Sequence, residues 1–308
     1  MKFPRYAPGA RRARFLVASA ATLVALFSGG LAAAIVTNAQ AAATTVPLGT
    51  AGSFEVLAGT TVTNTGQTKL FGGNAGVSPG SSVTGFPPGK VNAPGSIHKA
   101  DGFAAGAQRD LTTGYNVAAG EGPTLPIVTD LGGQELTPGV YNSGSAISVG
   151  VGKTGTGLTL TLNGGGNPDA VFVFQAGSKL TTASASQINL INGAQSCNVF
   201  WQIGSSATLG TGSSFRGTIL ALTSVSVDTN VTVIGRALAR NGAVTLDDDT
   251  FTQATCATGT STTTTTPGTT STTTPTTTTT TIVLTSPTTT TLPPGNAKPP
   301  ISPPSFTG

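Results

Sequence analysis

His98 is the only histidine in the chain, and Asp101 and Asp110 follow it closely. A histidine beside carboxylates is the usual equipment for general acid–base work. No nucleophile and no second acid–base pair converges with these three, and both aspartates fall on a segment of helical spacing. Asp247-Asp248-Asp249 offers three carboxylates to a hard cation. Such a cation needs six or more oxygens, and consecutive strand residues point in alternate directions, so a solvated turn is the simpler reading. Gly72-Gly73 and Gly164-Gly165-Gly166 are not phosphate loops, because neither is followed by Lys-Ser/Thr and a helix. Cys197 and Cys256 are the two cysteines, too few for a four-ligand zinc site. In an exported protein they form one disulfide most simply, with two buried thiols as the alternative. Trp201 could stack on a sugar, although its repeat partner Phe174 suggests a core position. The chain is expected to be no enzyme, with no cofactor, no metal and no catalytic residue.

The abundant functional group is the hydroxyl, and its spacing is regular. Val173-Phe174-Gln175-Ala176-Gly177-Ser178 aligns with Phe200-Trp201-Gln202-Ile203-Gly204-Ser205 at an offset of 27. Phe215-Arg216-Gly217-Thr218-Ile219-Leu220-Ala221 aligns with Val233-Ile234-Gly235-Arg236-Ala237-Leu238-Ala239 at 18, and Val244-Thr245-Leu246 follows Val225 at 19. Short strands at such periods mark the coils of a solenoid, and unequal offsets mark irregular coils. Stacking would place equivalent residues about 4.7–4.9 Å apart. The columns Thr181/Thr208/Ser226/Thr245 and Ser184/Thr211/Thr229/Asp248 would then run as hydroxyl ladders. Ser214 and Thr232 extend the set, and the ladder Thr208, Thr211, Ser214, Ser226, Thr229, Thr232 and Thr245 is expected to share one face. Ser81, Ser82 and Thr84 are candidates that the alignment cannot place. β-branched residues are favoured in any strand, so composition alone leaves the ladder either functional or merely structural.

The elements that must position these residues are mostly strands. Alternation is clear in Leu158–Leu162, Val171–Phe174 and Val225–Asp228, with Asn-Gly turns at 163–164, 192–193 and 241–242. From His98 to Ala119 the pattern becomes helical, with Ala100, Phe103, Ala104, Ala107 and Leu111 on one apolar face. Residues 1–43 read as a signal peptide with cleavage sites at Ala39-Gln40-Ala41 or Ala41-Ala42-Ala43, an uncleaved anchor helix being the alternative. The 44–258 segment is the solenoid domain. Residues 259–308 form a disordered Thr/Pro-rich tail; within 257–308, 24 residues are Thr, 5 Ser and 9 Pro. Such a tail reads as a stalk open to glycosylation or wall association. The chain carries 15 Lys and Arg against 11 Asp and Glu, but between Thr44 and Thr258 the count is 9 against 11. No basic cluster remains to read nucleic acid.

Leu48–Gly59 with Val62-Thr63-Asn64-Thr65-Gly66 resembles the opening of the microbial ice-binding proteins of the discontinuous β-solenoid type. So do Gly76–Gly80 and Val83–Gly89. Leu136–Tyr141 resembles the strand that resumes after that family's helix, and Gly235–Leu246 is similar to its last coil. The resemblance spans roughly 44–256. It implies a mainly β fold, an irregular right-handed β-solenoid of three faces, with a single long α-helix packed along one face and the first coils out of sequence order. It implies that the partner is ice; the leader points to a secreted protein, displayed at the cell surface if the tail tethers it, and a monomer is expected. Adsorption would use a flat, helix-free face, on which many members carry Thr-Ala/Gly-x-Thr/Asn. Thr211-Gly212-Ser213-Ser214 and Thr229-Asn230-Val231-Thr232 approach that pattern; Ser184–Gln187 is looser, and Asp248–Phe251 departs from it. A cell-surface adhesin or carbohydrate-binding solenoid is the rival reading, and would need aromatics in a groove.

Overall fold

The computed structural model describes residues 43–257. The expected signal peptide and the Thr/Pro-rich tail lie almost entirely outside these residues. Strands wind around a triangular core in three parallel faces. The winding is clearest from Phe172. Phe172–Ala176 runs along a first face, Leu180–Thr182 along a second and Gln187–Ile191 along a third. Val199–Ile203, Ala207–Leu209 and the start of Ser214–Ala221 repeat the circuit. Ser214–Ala221 and Thr232–Ala239 each turn the corner from the third face to the first without a break. The turn is made at Gly217 and Gly235, where the backbone has φ of 109° and 153°.

Strand register follows the repeats: Phe174 pairs with Trp201, Phe215 with Val233 and Val225 with Val244. The expected permutation of the first coils is present. Phe54–Ala58 pairs with Thr232–Ala239, Thr61–Thr65 with Val244–Asp247, and Lys69–Phe71 with Thr250–Thr252. The chain therefore starts in the coil that follows its own last one. A second early coil, from Asn74 to Asn92, stacks outside that.

Coil length decides what fills the core. One inward column of the first face reads Tyr141, Phe174, Trp201, Ile219, Ala237, Val56. The aromatic members sit where the windings are long; the 18-residue windings leave room only for Ile, Ala and Val. Phe174 stacks on Trp201 with ring centroids 4.0 Å apart and planes 12° from parallel. Trp201 Nε1 donates to the Arg216 carbonyl at 3.1 Å, so its one polar atom is satisfied inside the core. The expectation that Trp201 is a core residue holds.

One helix, α1 (Gly102–Gly120), lies on the first face. Asp101 caps it, accepting from Ala104 N at 2.8 Å, and holds the His98 ring through Nδ1 at 2.7 Å. Ala104, Ala107, Leu111, Gly114, Tyr115 and Ala118 are its buried side. Gly114 is needed because a Cβ there would come within 2.9 Å of the Pro47 carbonyl. The sequence reading of this face needs correction at its N-terminal end. Ala100 precedes the helix and is exposed, and Phe103 is 43% exposed, its ring tilted against those of Phe54 and His98. Ala104, Ala107 and Leu111 are buried as expected, and the large ring at the seam is Tyr115, about three turns beyond Phe103. The helix end is held by Gln175, whose amide donates to the Ala118 and Glu121 carbonyls.

After Thr252 the chain becomes a strap over the corner between the third and first faces. Arg236 reaches it through Ala254 O, and Gln195 exchanges two hydrogen bonds with Ala257. Cys256 ends the strap in a disulfide with Cys197, so the single-disulfide reading is the one the fold adopts. The bridge spans 59 residues. In the chain-entropy account a loop of that size stabilises by about 4 kcal/mol. Cys197→Ser/Cys256→Ser is therefore expected to lower the unfolding free energy by about that much in guanidinium denaturation, with a larger m-value because the unfolded chain without the cross-link exposes more surface.

Candidate functional site

The groups that could do covalent chemistry are occupied by structure. His98 and Asp101 cap the helix, and Asp110 accepts from Thr50 N at 2.7 Å. The three consecutive aspartates point to separate tasks. Asp247 accepts from the Thr229 hydroxyl, Asp248 from the Gln67 amide, and Asp249 from Val231 N and Asp247 N. Asp249 is 1% exposed, so the run is a turn with one buried member rather than a fully solvated one. No group of three or more His, Cys, Asp or Glu side chains is placed to hold a metal among the described residues.

Two of these buried carboxyls set a pH dependence. Burial pushes Asp249 up to about 7, against the lowering effect of its backbone hydrogen bonds. Burial likewise pushes Glu55 up to about 7; the polar backbone at Phe71 and Gly73 and then the nearby Arg236 charge offset only part of the cost. The unfolded chain releases these protons near pH 4, the folded one near 7. Their contribution is present below the unfolded value and is lost as pH rises through the folded one. The melting temperature is expected to fall between about pH 5 and about pH 8. Glu55→Gln should flatten that slope in a calorimetric pH series.

The second face holds the hydroxyl array. Its seven strands pair in the order Ile147–Val149, Leu180–Thr182, Ala207–Leu209, Val225–Val227, Val244–Asp247, Thr61–Thr65, Ser82–Thr84. Registers place Ser148, Thr181, Thr208, Ser226, Thr245, Thr63 and Thr84 in one outward column. At the usual strand spacing the column is about 29 Å long. The neighbouring inward column is Ile147, Leu180, Ala207, Val225, Val244, Val62 and Val83, all buried. Apolar side chains of this kind in a packed core hold the strands in place. Ser148 is bonded to Asp130, but the other six hydroxyls make no hydrogen bond to the protein among the described residues. They are free for water.

The third face is also free of the helix, but it is a different surface. Its outward columns read Lys90, Lys69, Thr250, Thr232, Ser214, Gln187, Thr159 and Asn92, Phe71, Thr252, Ile234, Arg216, Asn189, Thr161. Side chains of such different length and charge cannot present one plane.

The sequence-predicted residues divide between three places. Thr181, Thr208, Ser226 and Thr245 form the interior of the second-face column, as aligned. Ser184, Thr211 and Thr229 sit at the corner between second and third faces, and Ser214 and Thr232 are paired on the third face. The expected single ladder is therefore two faces and the edge between them. The corner column also ends on Asp247 rather than Asp248, since Asn230 N donates to the Asp247 carbonyl. Asp248 takes the next position, where Ala185, Gly212, Asn230, Asp248, Gly66 and Gly85 all have φ between 55° and 78°. That left-handed step turns the chain from one face to the next. At Gly85 it must be glycine, because a Cβ would strike the Asn64 carbonyl. Asp228 is exposed at the edge.

Ser148 and Thr63 were missed as members of the column, and Thr84, a candidate that the alignment could not place, joins it beside Thr63. Val62-Thr63, Val83-Thr84, Val244-Thr245 and Val225-Ser226 share one inward-apolar, outward-hydroxyl dipeptide, which is the signal that connects them.

Residues 56–252 match the family described as ice-binding-like. An ice-binding protein of Nostoc sp. (strain HG1) is 50% identical over 220 residues, which are 71% of this chain and 77% of that protein. An ice-binding protein of Colwellia sp is 32% identical, over 68% of this chain and 84% of that one. Among solved structures, an ice-binding protein from an Antarctic biological consortium superposes with a TM-score of 0.65 at 44% identity, covering 69% of this chain and 92% of its own. One from the Antarctic ascomycete Antarctomyces psychrotrophicus gives 0.62 at 37% identity, over 70% of this chain and all of that one. With the parallel three-faced winding, the permuted first coils and the helix along the first face in place, the chain belongs to the ice-binding-like family.

Proposed function

We propose that the protein adsorbs to ice through the second face and thereby inhibits ice growth and recrystallisation, without catalysing any reaction. The observation that carries this is the column of six unengaged hydroxyls at strand spacing on a face without charge along its centre. Each Thr supplies a hydroxyl that can hold a water and a methyl that gains by leaving bulk water. The side chains are short and seated on a packed core, so contact orders little that is not ordered already. A charged surface would hold its own hydration against the lattice; Lys179 and the edge residues Asp228 and Asp247 leave the column itself clear. The relatives' names support the same partner.

The protein would work outside the cell as a monomer. The cysteine pair fits an oxidising compartment, and no helix among the described residues is long and apolar enough to cross a membrane. The adhesin or carbohydrate-binding alternative asks for exposed rings converging in a groove. Those of Phe71 and Phe103 lie apart, on the third face and at the start of α1.

The test is ice recrystallisation inhibition by the purified chain at micromolar concentration. Inhibition at a concentration where albumin is inert supports the proposal, and crystals that coarsen as fast as in buffer would refute it.

A further inference from the structure

Along the corner where the chain passes from the first face to the second, α1 leaves an open cleft. Its volume is about 400 Å³, and it is lined by Ser78, Pro79, Gln108, Arg109, Thr112 and Arg240. Two arginines from different elements, the helix and the strand end after Ala239, therefore share one small space. Neither guanidinium has a carboxylate within 4 Å or a hydrogen bond to the protein among the described residues. Arg240 is seated with its charge 4.8 Å from the centroid of the Tyr115 ring, and its Nε is buried with no acceptor. A buried donor left open costs more than one never desolvated, and two like charges in one cleft add repulsion. An anion meeting the terminal nitrogens of both guanidiniums would remove the repulsion.

We propose that this cleft binds the carboxylate of an acidic sugar, such as a uronate unit of an extracellular polysaccharide. Ring stacking holds the Arg240 guanidinium in place, and its fork matches a planar two-oxygen acceptor, which is why a carboxylate is assigned. The rest of the lining suits a sugar ring. Pro79 and the Thr112 methyl are apolar walls, and Ser78 and the free oxygen of the Gln108 amide, whose nitrogen is spent on Ala239 O, can meet ring hydroxyls. The volume lies within the range of small-molecule sites. The cleft opens beside the second face and not onto its central column: Pro79 lies three residues before Ser82–Thr84, and Arg240 four before Val244–Asp247. A bound sugar acid would leave Thr84 and Thr245 uncovered, so matrix and ice could be held together.

Calorimetric titration of the full chain with trigalacturonate at low ionic strength tests this, with maltotriose, acetate and inorganic phosphate as comparison probes. Saturable binding with a dissociation constant of about 1 mM or tighter is expected for trigalacturonate. Arg109→Gln, an exposed change that leaves the fold alone, should weaken it about tenfold, and Arg240→Lys should do so too, since an ammonium keeps the charge but loses the fork. Thermal hysteresis should be unchanged in both variants, which separates this site from the ice face. No saturable binding, equal binding of maltotriose, or affinity unmoved by Arg109→Gln would overturn the proposal. Acetate binding as tightly as the trisaccharide would overturn the sugar, and phosphate doing so would overturn the carboxylate.

Discussion

Thr208→Tyr is expected to cut thermal hysteresis severalfold while leaving circular dichroism and the melting temperature near those of the parent. Thr208 lies in the middle of the second-face column, between Thr181 and Ser226. Its hydroxyl makes no hydrogen bond to the protein among the described residues, so nothing inside the fold is lost with it. Surface changes of this kind usually stay within about 0.5 kcal/mol. A phenol ring stands well above the neighbouring methyls and would hold a flat lattice off the residues on both sides, so the loss exceeds one residue's share. Thr245→Tyr should behave alike. Thr229→Tyr makes an instructive contrast: that hydroxyl is already committed to Asp247 at the corner, so its replacement should disturb stability more and hysteresis less. If Thr208→Tyr keeps full activity while Thr229→Tyr loses it, the corner and not the face would be the contact.

Trp201→Ala is expected to destabilise the fold by about 3–5 kcal/mol, the range for emptying a large aromatic site in a packed core. Trp201 is fully buried, stacked on Phe174 and tilted against Phe215. It also leaves the Arg216 carbonyl, at the third-face corner, without its indole donor. The cavity would open where the winding narrows from long coils to short ones, so neighbours have no spare side chain to move in. Urea denaturation measures this directly. A loss under 1 kcal/mol would show that the coil collapses around the gap, and that the aromatic column is not what sets the width of this part of the solenoid.

The repeats were legible because every winding solves the same problem. Phe174 over Trp201, Phe215 over Val233 and Thr208 over Ser226 follow from aligning similar strings, and the offsets of 27 and 18 are the real coil lengths. Faces were harder. Thr211 and Ser214 are three residues apart on one short coil, and only the left-handed step at Gly212 separates the surfaces they belong to. A positive φ is announced by Gly212 and Asn230, but Ala185 and Asp248 adopt it without any such signal, which is how the Asp248 register slipped by one. Thr63 and Thr84 could not be joined to Thr245 by sequence order, since their coils are stacked after the last one. The helix was found from its small-residue stripe, yet its anchor was misjudged. Phe103 has the larger apolar ring, but the first turn overhangs the end of the first face, while Tyr115 lies over Ile203 and can donate to its carbonyl at 3.4 Å.

In the proposed function, ice contact belongs to the second face and not to the third. The most direct measurement is the fraction of fluorescently labelled protein taken up by a slowly growing ice hemisphere, compared between two double variants. Thr208→Tyr/Thr245→Tyr alters the hydroxyl column, and Thr159→Tyr/Thr232→Tyr adds the same bulk to the third face. Uptake is expected to collapse for the first pair and to match the parent for the second, with both proteins folded. Normal uptake by the first pair together with loss in the second would contradict the assignment of the face.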